Sequence, residues 1–124
     1  MFDFTVGQRA SLTRRFRRDE VEEFLALVGA IDDDGATVPT GLLGGLFSQL
    51  LGTSLPGRGT NWMKQTLRFH ARASVDDLLF ASVEIVRLRP EKQLVNLRVE
   101  CLSASGALVC DGEALVMARE MLPA

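Results

Sequence analysis

Few residues in this chain of 124 have the type and spacing to do acid–base chemistry. Asp32, Asp33 and Asp34 stand together before Gly35. A carboxylate with an ordinary pKa near ~4 is a weak base, so one of them acts as a general base only if burial raises it. The same run is strong turn chemistry, and a solvated turn is the other reading. The single histidine, His70, lies in an alternating stretch where Lys64, Thr66 and Arg68 share its face, the pattern of an exposed strand position. Cys101 and Cys110 fit no metal or redox spacing. Both sit in apolar strand-like runs and read as reduced core thiols. Arg14, Arg15, Arg17 and Arg18 are followed at once by Asp19, Glu20, Glu22 and Glu23. They form either a contact for an anionic ligand or a solvated, charge-balanced face.

The bulk composition narrows the classes. Fourteen Lys and Arg against 16 Asp and Glu give a net charge of -2, which argues against a nucleic-acid binder held by phosphate contacts. A hydrophobic fraction of 47% is enough for a real core, and the length suits one domain over residues 1–124. No apolar stretch approaches the ~18 residues of a membrane span. Met1-Phe2-Asp3-Phe4 lacks the basic-then-apolar order of an export signal, so the expected location is cytoplasmic.

The elements that must position these residues follow from periodicity. Residues 8–16 alternate, with Ala10, Leu12 and Phe16 able to face inward. Asp19 with Glu22 three positions on has capping-box spacing, and Val21, Phe24, Leu25 and Val28 line one face of the short helix behind it. Residues 29–41 read as a loop. A second helix is expected from about Thr40 to Leu51, with Leu42, Leu43, Leu46, Phe47, Leu50 and Leu51 at helical spacing. Gly41, Gly44 and Gly45 would each cost about 1 kcal/mol inside a helix, which implies close approach by a sheet or a ligand. Beyond Gly52 the period becomes two. Strands are expected over 63–70, with Met63, Gln65, Leu67 and Phe69 on one face, then over 78–89, through the alternating Val95, Leu97, Val99 and Cys101, and over 107–118. Turns fall at Asp76-Asp77, Pro90-Glu91-Lys92 and Ser103–Gly106. Gly112 within the last strand would permit a bulge or sharp curvature. Long antiparallel strands after one apolar helix suit an α+β layer in which a curved sheet wraps a central buried helix.

At this point the sequence resembles the MaoC-like hot-dog family, and within it the short (R)-specific enoyl-CoA hydratases. The resemblance runs from about Phe4 to Ala118. It rests on Val6-Gly7-Gln8-Arg9-Ala10, Glu20-Val21-Glu22-Glu23-Phe24, Gly41-Leu42-Leu43, and Leu46-Phe47-Ser48-Gln49-Leu50-Leu51-Gly52. It continues through Leu55-Pro56-Gly57-Arg58-Gly59, Gln65-Thr66-Leu67-Arg68-Phe69 and Gly112-Glu113-Ala114. What it implies is a hot-dog fold, a homodimer with sites between subunits, and an acyl thioester of coenzyme A as ligand, with no cofactor beyond the coenzyme A of the substrate. Thr40, Gly41 and Leu42 would hold the thioester at the start of the buried helix, where a carbonyl oxygen can reach a backbone N–H. Gly41 equally suits a tight helix start. Leu46, Phe47 and Leu50 would line an acyl tunnel or be plain core, and Arg58 and Lys64 would meet coenzyme A phosphates.

The resemblance also implies a motif Gly-Asp-x-Asn-Pro-Leu-His after the first helix. Its aspartate and histidine act on one water and on the α-carbon proton. Here the aspartate position falls on Ala30, Asn-Pro-Leu-His is absent, and the loop is shorter than the family's usual one. Three functions follow: a hydro-lyase on enoyl thioesters with altered catalytic residues; a non-catalytic acyl-CoA-binding or pairing subunit; and a thioesterase using a carboxylate near the buried helix.

Overall fold

Alternating side chains form β1 (Arg9–Arg15), with Ala10 and Leu12 half-buried and Ser11 and Thr13 exposed. This computed structural model describes residues 4–30, 34–57 and 60–118. Helix α1 (Arg18–Leu27) follows and buries Val21 and Leu25. Its entry departs from expectation. Arg17 is the N-cap, and its N–H donates to the Glu20 carboxylate at 3.1 Å. Asp19 instead accepts from the Arg17 guanidinium at 3.1 Å, which takes it out of the capping role. The exit departs too: Val28 is the C-cap, is 59% exposed and leaves the apolar face. Gly29, at φ 76, then turns the chain away.

Helix α2 (Thr40–Thr53) runs past the expected stop at Leu51, because Ser54 N–H still reaches Leu50 O at 3.0 Å. Leu43, Leu46, Phe47, Leu50 and Leu51 are buried. Close approach does not account for Gly44 and Gly45, since a Cβ at either would meet nothing within 4 Å. Gly41 differs: a Cβ there would fall 2.8 Å from Phe24 Cζ, so the ring of α1 takes that space.

Four long strands complete the sheet: β2 (Thr60–Phe69), β3 (Leu78–Arg89), β4 (Leu94–Ser103) and β5 (Leu108–Ala118). The order is β1-β3-β4-β5-β2, antiparallel throughout. α2 lies against β3 and β1 on the inner face. Leu79, Ala81, Val83, Ile85, Val95, Leu97, Val99 and Cys101 join its apolar residues in one core. Each large aliphatic side chain buried this way contributes about 1.5–3 kcal/mol before entropy is charged against it.

Two strand details were not foreseen. The β2–β5 register slips between Trp62 and Lys64, so Met63 is the bulged residue and is 54% exposed rather than inward. Gly112, by contrast, sits in continuous register between Leu67 and Val99. It is glycine because a Cβ would fall 1.8 Å from the Thr66 carbonyl oxygen. No helix among the described residues is long and apolar enough to cross a membrane.

Candidate functional site

The start of α2 is fixed from outside the helix. The segment before it pairs with the β2–β3 connection: Val38 N–H donates to Ala73 O at 2.7 Å, and Val75 N–H to Ala36 O at 3.0 Å. Pro39 is the N-cap, and its carbonyl accepts the N–H groups of Leu42 at 3.0 Å and Leu43 at 3.3 Å. The N–H groups of Thr40 and Gly41 belong to the first turn and have no acceptor within the helix. Both residues are exposed, and the positive end of the helix dipole favours an oxygen carrying negative charge there. No charged residue occurs from Gly35 to Gly57. Leu42 is half-buried, whereas Leu46 and Phe47 are packed into the core at 3% and 0% exposure.

Among the described residues, the candidate proton-transfer groups Asp34 and His70 make their contacts elsewhere. Ala30 is half-buried against the core, its N–H bonded to Leu25 O at 2.9 Å. Asp34 is exposed and closes a turn, its carboxylate accepting the Ala36 N–H at 2.9 Å. Its carbonyl accepts from the Arg18 guanidinium at 3.1 Å. Asp34 is thereby tied to the first turn of α1, while Ala30 follows the last. Asp32, Asp33 and Arg58 lie outside the described residues.

His70 follows the end of β2 and lies on the outer face of the sheet. Its Nε2 is 2.7 Å from Asp111 Oδ1. The hydrogen bond from His70 holds the Asp111 carboxyl below its ordinary value; partial burial opposes this, and the charges of His70, Arg68 and Arg98 add to it. Beside this pair runs an open groove of about 530 Å³ lined by Thr66, Arg68, Arg98, Gly112 and Glu113. Lys64 lines a second outer groove with Asn96 and Leu115. The exposed histidine was legible from alternation; its partner, 41 residues on, was not. The arginine cluster is balanced locally, Arg14 pairing with Glu20 and Arg18 with Glu22 at 3.5 Å, as a solvated face would be.

Comparison with known proteins agrees with this architecture. No family model matches the chain. An (R)-specific enoyl-CoA hydratase of Aeromonas caviae is 37% identical over 124 residues, covering 90% of this chain and 92% of that protein. One of Rhodospirillum rubrum is 33% identical over 93% of this chain and 88% of its own length. The solved (R)-hydratase of A. caviae superposes with a TM-score of 0.83, covering 93% of this chain and 97% of that one. A five-stranded antiparallel sheet packed on an apolar helix, shared at this identity along nearly the whole length, shows that this chain belongs to the MaoC-like hot-dog family of (R)-specific enoyl-CoA hydratases.

Proposed function

We propose that this protein holds an acyl thioester of coenzyme A at the start of α2 and hydrates enoyl-CoA slowly or not at all. The observation that carries the reading is the separation, among the described residues, of holding groups from proton-transfer groups. The N–H groups of Thr40 and Gly41 suit a thioester oxygen, on which negative charge develops as water adds to the double bond. The activity of the A. caviae and R. rubrum relatives suggests the substrate class. The reaction also needs one group to activate water and one to manage the α-carbon proton. The chain has Ala30 where the aspartate would be, and its single histidine faces away, bonded to Asp111.

Hydration of crotonyl-CoA, measured beside the A. caviae enzyme, should run about 10²–10⁴-fold slower or more, since each acid–base group is typically worth that much. Calorimetric binding of crotonyl-CoA should persist. A rate equal to the relative's, surviving replacement of Asp32, Asp33 and Asp34 together by Asn, would overturn the reading. Release of free thiol from a saturated acyl-CoA would instead assign thioester hydrolysis.

The expected assembly is a homodimer. β1 and β2 are the edge strands of the sheet, and an open edge is a liability that pairing with a second copy removes. Met63 and Phe69 on β2 are 54% and 44% exposed, apolar surface that a neighbour would cover. Sedimentation as a monomer at micromolar concentration would count against it.

A further inference from the structure

Cys101 and Cys110 take no part in thioester chemistry, yet the fold brings them together. They face each other in the β4–β5 ladder, and Phe69 of β2 pairs with Cys110 from the other side. Both are free thiols at 0% exposure. Directly opposed residues of an antiparallel pair have Cα atoms about 4.5–5.5 Å apart, inside the ~4.4–6.8 Å that a disulfide spans. The pair ends the continuous register that begins at Leu94 and Met117, and the ladder slips just beyond it, where Leu102 opposes Leu108.

We propose that Cys101 and Cys110 form a reversible dithiol–disulfide site, oxidised by a low-molecular-weight disulfide. The Cys101 thiolate attacks the oxidant's S–S bond and expels one thiolate, giving a mixed disulfide. Cys110 then attacks the Cys101 sulfur of that mixed disulfide and expels the second thiolate. Two protein thiols are oxidised and one small disulfide is reduced to two thiols, the S–H protons passing to the leaving thiolates. The interaction between the two thiols lowers Cys101 below its ordinary value and raises Cys110 above it, which suits Cys101 as the first nucleophile. Access follows from the edge. The end of β2 is held by the N–H groups of His70 and Ala71, both bonded to Val109 O, at 2.8 and 3.3 Å. Fraying of that strand end removes the β2 neighbour of Cys110 and is the local opening through which the oxidant would enter.

The test is oxidation of the native protein by glutathione disulfide, followed by unfolding in guanidinium with N-ethylmaleimide and measurement of the intact mass. The expected product has lost two hydrogens, carries no maleimide, and yields a non-reducing peptide that joins Cys101 to Cys110. Dithiothreitol should restore two reactive thiols. Two maleimide adducts, obtained under conditions in which the unfolded chain has already closed its disulfide, would overturn the proposal. So would a disulfide that links two chains.

Discussion

The start of α2 and the outer face of β5 and β2 differ sharply in charge and in the hydrogen-bonding groups they present. Around α2, residues 35–57 carry no charge, five helix side chains are buried, and the first turn presents free N–H groups. On the outer face of the sheet, His70, Asp111, Arg68, Arg98 and Glu113 gather beside one groove. Among the described residues, the first region presents backbone N–H groups and no titratable side chain from Gly35 to Gly57. The second has acid–base groups, open to solvent and already paired with each other. On the proposed reading, conserving the fold and conserving the chemistry are separate matters.

Packing should dominate the first region, and its removal is the largest effect. Phe47→Ala empties a fully buried ring site at the centre of α2 and should cost about 3–5 kcal/mol in urea unfolding. Gly112→Ala comes next, at about 1–3 kcal/mol or more, because the new Cβ meets the backbone of Thr66, which cannot rotate aside. Gly41→Ala meets only the tip of the Phe24 ring. The gain in helix propensity, up to ~1 kcal/mol, offsets the displaced ring, and stability should stay within about 0.5 kcal/mol. A cost at Gly41 equal to that at Gly112 would show that the α1–α2 contact is as rigid as the sheet. In contrast, His70→Ala should leave binding of crotonyl-CoA unchanged by calorimetry; weakened binding would join two regions held apart here.

The sequence reading succeeded where one side chain's pattern decides the outcome. β3 over Leu78–Arg89 and the buried stripe of α2 follow from periods of two and 3.6, and hot-dog membership follows from residues in order along the chain. It failed where two distant segments decide together. Met63 reads as inward by parity, and only its pairing with β5 reveals the bulge. Gly112 reads as a bulge or a point of sharp curvature, and only the Thr66 carbonyl across the ladder shows the contact that excludes a side chain. Asp19 has the chemistry of an N-cap, but the guanidinium two residues before it took its carboxylate. Ala30 takes its place from the family motif alone, because an alanine carries no signal of its own.

The smallest effect tests whether the outer pair does anything for the fold. Asp111 has its carboxyl held below the ordinary 3.8, first by the hydrogen bond with His70. The native state therefore binds that proton less readily than the unfolded chain. Stability from this source is present above the ordinary aspartate range and is lost as pH falls through the lowered native value. Asp111→Asn keeps the shape and removes the charge, so the variant should be slightly less stable than the parent at pH near 7. As the parent's own Asp111 becomes protonated and neutral in acid, the gap in urea midpoint between the two proteins should close. A gap of the same size at both ends of the pH range would mean that the contact acts through shape alone. The pair is solvent-exposed and screened, so the whole effect should shrink further in high salt.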